Sequence, residues 1–104
     1  MKTVLFIDTS NNEVINVGLE IDGKMDLVKQ KITKQKAQVV LPLIDKLLKK
    51  HGLEIREIGE IRVVEGPGSY TGLRVGISIA NALSYALKIP VNGKKTHAAE
   101  PRYQ

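Results

Sequence analysis

Four consecutive apolar residues, Val4-Leu5-Phe6-Ile7, constrain what this chain can fold into more than any other feature. An uninterrupted apolar strand suits a position buried on both faces, so the run predicts a central strand over residues 3–7. The next segment alternates instead, with Ile15, Val17, Leu19 and Ile21 on one side and Asn16, Gly18 and Glu20 on the other. That pattern predicts a half-buried strand over 14–21. Asp22-Gly23 then suits a type I′ hairpin, whose two central positions both need positive φ. It leads into a third strand over about 25–33, which Lys29, Lys31 and Lys34 mark as a charged edge.

From about Lys36 to His51 the period becomes helical. Ala37, Val40, Leu41, Ile44, Leu47 and Leu48 form one stripe expected to face the sheet, and Val39 and Leu43 fall beside it. Pro42 lies in the first turn or kinks the helix, and Gly52 offers a stop. Residues 53–59 suit a short helical turn, and Ile61, Val63 and Val64 mark a fourth strand ending at Glu65. A glycine-rich loop, Gly66-Pro67-Gly68-Ser69-Tyr70-Thr71-Gly72, precedes a helix over about 71–88, with Ser69 or Thr71 as its cap. Ile89-Pro90-Val91 reads as a short fifth strand. The order β-β-β-α-β-α-β describes an α/β fold, a single ribonuclease-H-like lobe whose mixed sheet is covered by helices. The lobe is expected over residues 1–95, with a polar tail over 96–104.

At 104 residues the chain suffices for one domain with a modest core. Cysteine is absent, which excludes disulfides and thiolate zinc sites as sources of stability. Asp8 and Asn11-Asn12-Glu13 interrupt the first apolar run, so no leader is expected, and the uncharged stretch 75–87 is short of the ~20 residues of a bilayer span. A cytoplasmic location is the expectation. The formal charge of +5 comes from dispersed lysines without interleaved aromatics, which suits solubility better than base stacking.

Three kinds of chemistry can be tried on these residues. Gly66, Gly68 and Ser69, with Asp8-Thr9-Ser10 at the end of the first strand, could surround a phosphate at the start of the second helix. The loop is no Walker motif, since the lysine and hydroxyl after its second glycine are missing and Arg74 is the nearby cation. Asp8 and Glu65 could serve a two-metal nuclease, but the first helix opens with Lys36 and Gln38 where a third carboxylate is needed. The histidines, His51 and His97, form no H-x-x-x-H pair, and a triad on Ser69 would have to borrow His97 from the tail. No metal site and no catalytic residue is expected.

The second helix has a narrow polar stripe, Arg74, Ser78, Asn81, Tyr85 and Lys88, and a wide apolar remainder. That remainder exceeds what one sheet face can bury, while Gly72, Gly76, Ser78, Ala80 and Ser84 would let another helix approach closely. The pattern predicts an interface with a copy or a partner, using Val39, Leu43, Leu73, Ile77, Ala80, Asn81 and Ser84.

The run Gly66-Pro67-Gly68-Ser69-Tyr70-Thr71-Gly72-Leu73-Arg74-Val75-Gly76 resembles the signature of the TsaB (YeaZ) family, with Leu5-Phe6-Ile7-Asp8-Thr9-Ser10 and Leu41-Pro42-Leu43-Ile44 in support. The resemblance implies an actin-like ATPase lobe that is not itself an enzyme. It would pair through its two helices with the catalytic subunit TsaD in threonylcarbamoyladenosine modification of tRNA. It further implies homodimers through the same surface, a TsaE-type ATPase in the complex, and tRNA reached only through that complex. No cofactor is required by the lobe, and ATP with magnesium is expected only at the interface with partners. Family members run to about twice this length with a second lobe, and the histidine usual at the start of the first helix is Lys36 here. The alternative functions are a stand-alone phosphate or nucleotide binder and, behind it, the nuclease.

Overall fold

Residues 2–33, 35–68 and 70–94 are described by the computed structural model. Strands β1 (Thr3–Asp8), β2 (Val14–Ile21) and β3 (Lys24–Lys31) come first, followed by helix α1 (Lys36–Lys50), a 3₁₀ turn (Ile55–Glu57), strand β4 (Glu60–Val63) and helix α2 (Tyr70–Leu87). The sheet order is β3-β2-β1-β4. β1 is antiparallel to β2 and parallel to β4, and β2 is antiparallel to β3. This is the ribonuclease-H-like, actin-like arrangement expected from the element order. Asp22 and Gly23 turn the β2–β3 hairpin at φ 50° and 86°, both positive as a type I′ turn demands.

The register sorts the sheet into two unlike faces. On one, Leu5 opposes Leu19 and Ile61, and Ile7 opposes Val17 and Val63. These six pack with Val40, Ile44, Leu73 and Ile77 from the two helices into one core. On the other, Phe6 opposes Gly18 and Arg62, and Gly18 opposes Leu27. Arg62 reaches Glu20 and Glu60 at 3.6 and 3.7 Å there, and Met25 and Leu27 are 45% and 52% exposed. The expectation that β1 is buried on both faces therefore holds for Val4, Leu5 and Ile7 but not for Phe6, which is half-buried because neither helix reaches its side of the sheet.

α1 runs through Pro42, whose missing N–H lies on the exposed side of the helix interior rather than in its first turn. Its buried residues are Val39, Val40, Leu43, Ile44, Leu47 and Leu48, whereas Ala37 is exposed and Leu41 is 52% exposed. The buried stripe is thus turned from the one read off the sequence, because α1 packs on both β2 and α2 and must bury two adjacent rows at i, i+4 spacing. Gly52, at φ 67°, ends the helix as expected: its N–H donates to the Lys49 carbonyl at 3.1 Å, and Leu53 N–H donates to that of Leu48 at 2.9 Å.

β3 stops at Lys31, Lys34 and the 96–104 tail lie outside the described residues, and the fifth strand contracts to a single parallel bridge between Val91 and Ile61. Among the described residues, no helix is long and apolar enough to cross a membrane.

Candidate functional site

β1 ends beneath the first turns of α2, so Asp8-Thr9-Ser10 and the glycine loop do meet. Thr9 is 1% exposed, and its hydroxyl donates to the Gly72 carbonyl at 2.5 Å while accepting Gly76 N–H at 3.0 Å. Those are the two groups that pair with each other in an α-helix, so the threonine side chain bridges one step of the helical ladder. A Cβ at Gly76 would come within 2.6 Å of the Thr9 hydroxyl, and one at Gly68 within 2.9 Å of the Ser10 Cβ. The glycines are needed because the end of β1 passes so close.

The Asp8 carboxylate is also engaged, its Oδ1 accepting from Ser10 N–H at 2.9 Å and from the Ser10 hydroxyl at 2.6 Å. Lys36, in the first turn of α1, donates its ammonium to the Thr9 carbonyl at 2.9 Å. Partial burial pushes the Lys36 ammonium below its ordinary value, against the opposing charge of Asp8. α1 carries no acidic residue in its first turn and no side-chain cap at Gln35, so a lysine stands where the helix dipole favours the opposite sign. It is held there by the Thr9 carbonyl.

Of the phosphate candidates, Asp8, Thr9, Ser10 and Gly68 meet at this junction, while Ser69 lies outside the described residues. Thr9 is removed from the candidate set by geometry, since its hydroxyl is buried and used in both directions. Among the described residues no group of three or more His, Cys, Asp or Glu side chains could hold a metal ion. His51 is placed instead against Asp26 of β3 at 2.8 Å, beside Lys50 at 2.9 Å from the same oxygen. The Lys50 hydrogen bond, and then that of His51, holds the Asp26 carboxyl below the ordinary carboxylate range.

The interface set needs correction. Val39, Leu43, Leu73, Ile77 and Ala80 are buried inside the chain, and Asn81 and Ser84 are half-buried. Their small or apolar side chains serve the packing of α1, α2 and the sheet on one another, so the wide apolar face of α2 is mostly consumed internally. What remains outward is a different row. Ala37, Thr71, Arg74, Val75, Ser78 and Ile79 line one open hollow, and Leu41, Ile55 and Leu83 line much of another, whose floor is the buried Ile44 and Leu48. Farther along α2, Tyr85 is 89% exposed. By spacing, Leu41 belongs to the covered stripe and Val75 to the apolar remainder, and the rotation of each helix, invisible to periodicity, turns them outward.

The family model described as TsaD, tRNA N6-adenosine threonylcarbamoyltransferase, matches residues 27–103. The tRNA threonylcarbamoyladenosine biosynthesis protein TsaB of Haemophilus influenzae is 34% identical over 89 residues, 86% of this chain and 37% of that protein. The Escherichia coli protein of the same name is 32% identical over 93 residues, 89% of this chain and 40% of its own length. The solved structure of YeaZ from Pseudomonas aeruginosa superposes with a TM-score of 0.80 at 34% identity, covering 88% of this chain and 42% of that one. The chain thus spans about two fifths of the length of these relatives.

Proposed function

This chain belongs to the TsaB (YeaZ) family, within the reach of the TsaD family model, and from that premise we propose that it is a non-catalytic partner subunit in threonylcarbamoyladenosine modification of tRNA. It docks on a TsaD-type catalytic subunit through the outward side of its two helices. The observation that carries the reading is the outward row itself: α1 and α2, with their cores already satisfied, still present Leu41, Val75 and Ile79 around open hollows. Apolar side chains grouped on one helical surface with a polar rim, here Thr71, Arg74 and Ser78, are what a partner helix can cover.

The non-catalytic reading is supported by the junction at the end of β1. Its hydroxyls and one oxygen of its carboxylate are engaged in internal hydrogen bonds, which suits a packing device better than a reacting centre. Alone, the chain pairs with a second copy through the same helical side. A TsaE-type ATPase, ATP with magnesium, and tRNA engage at the assembled complex.

The test is reconstitution of tRNA modification by a TsaD-type threonylcarbamoyltransferase with and without this chain, using Val75→Glu and Tyr85→Glu as variants. Association and stimulation by the unmodified chain, both falling by about thirtyfold or more in Val75→Glu, are expected for an anchor of this kind. If the enzyme ignores the chain, or if both variants stimulate as well as the parent, the proposal fails.

A further inference from the structure

Asn92 closes the edge of the sheet with its side chain. β4 ends at Val63, and among the described residues no strand continues beside it beyond the single bridge at Val91. The Asn92 amide takes the missing strand's place: Oδ1 accepts Val63 N–H at 2.8 Å, and Nδ2 donates to the Val63 carbonyl at 2.9 Å. The backbone on either side continues the ladder, with Asn92 N–H on the Ile61 carbonyl at 2.8 Å and Ile61 N–H on the Pro90 carbonyl at 3.0 Å. A primary amide is the one side-chain group that can donate and accept as a peptide does.

The same residue precedes Gly93, and Asn92 is the only asparagine in the sequence followed by glycine. Asn92 and Gly93, at φ 51° and 78°, are the central pair of a tight turn closed by Val91 and Lys94, each N–H donating to the other's carbonyl at 3.2 and 3.0 Å. A glycine has no side chain to shield its backbone nitrogen, which leaves that nitrogen free to attack the preceding side-chain amide.

We infer that Asn92 is a site of spontaneous deamidation and that its two hydrogen bonds to Val63 set the rate, so that one opening of the clasp can be made permanent. The Gly93 nitrogen adds to Cγ of Asn92, the Cγ–Nδ2 bond breaks, and ammonia leaves with the proton given up by Gly93. Water then opens the five-membered imide. Opening at Cγ yields aspartate, and opening at the backbone carbonyl yields isoaspartate with an extra methylene in the main chain. The reaction cannot proceed while the amide is paired with Val63, because Cγ must swing toward Gly93. After it has occurred the clasp cannot re-form, since a carboxylate has no N–H for the Val63 carbonyl and repulsion between the two oxygens draws it off the Val63 N–H as well. Val63 and Val91, both buried, then lose the contact that closes the sheet edge over them.

The test follows the intact chain in mildly alkaline buffer by peptide mass spectrometry, with the same chain in denaturant as reference. Deamidation at Asn92 is expected in both, slower by roughly tenfold or more in the folded chain, as for any reaction that waits on local opening. As the product accumulates, hydrogen exchange of the Val63 amide is expected to accelerate by a similar factor while that of Leu5 stays constant. Asn92→Asp should show the accelerated exchange from the start. Equal rates in folded and denatured chain, no reaction in either, or unchanged Val63 exchange in the deamidated chain would each overturn the inference. The wild-type time course decides the matter even where Asn92→Asp folds poorly.

Discussion

On α2, Leu73, Gly76, Ile77 and Ala80 are turned into the chain, while Arg74, Val75, Ser78 and Tyr85 occupy other sides of the same helix. Both sets mix small and apolar residues, yet their surroundings differ completely. The inward set is fitted to the chain's own side chains, with Ile7 of β1 and Thr9 just after it against Gly76. Of the outward set, Arg74, Val75 and Ser78 border an open hollow, and Tyr85 stands exposed farther along. Small residues in a helix therefore do not by themselves announce a partner. At Gly76 the close neighbour is the chain's own first strand, and the part of α2 available to another polypeptide is narrower than its composition suggests.

The sharpest way to break this comparison is to place a charge on each side. Ile77→Glu buries a carboxylate in the core and is expected to cost about 4 kcal/mol or prevent folding, whereas Val75→Glu is expected to cost under about 1 kcal/mol. Denaturant unfolding of the two variants decides between them; equal losses would remove the distinction. A smaller effect is expected at the junction below. Thr9→Val keeps the shape but deletes the bridge between Gly72 and Gly76, at a cost of about 1–3 kcal/mol in the same measurement.

The C-terminal end of α1, where Lys50 and His51 meet β3, can be probed through pH. Because the Asp26 carboxyl is held below its ordinary range by Lys50 and His51, its charged form is favoured by folding. Its contribution is present above the ordinary carboxylate range and is lost as pH falls through the lowered value. Thermal unfolding of Asp26→Asn should match the parent in acid and fall below it near neutral pH. The smallest effect lies at the end of α2, where Lys88 has φ 57°. Lys88→Gly is expected to raise stability by about 0.5–1 kcal/mol by relieving a left-handed backbone, measured by thermal unfolding.

Much of the fold could be read from residues. β2 falls on residues 14–21 as expected because its alternation is unbroken, and both helices fall within one residue of their expected bounds. The expected fifth strand is only a bridge at Val91, because a three-residue apolar run cannot say whether its pairing comes from backbone or, as at Asn92, from a side chain. The site was less legible. Thr9 beside a carboxylate and a glycine loop carries the pattern of a phosphate ligand, and only the position of α2 shows its hydroxyl to be enclosed. Leu41 has the spacing of a core residue, but α1 is wedged between β2 and α2, and that second neighbour rotates the buried stripe away from it.

Two open apolar surfaces compete for any partner: the outward side of the helices, and the bare sheet face around Met25 and Leu27. Hydroxyl-radical footprinting of the chain with and without a TsaD-type subunit separates them directly. Protection of Leu41, Val75 and Ile79 with Met25 and Leu27 unchanged is the expected result. Protection of Met25 and Leu27, with the helical side chains still oxidised at the rate of the free chain, would contradict docking through α1 and α2.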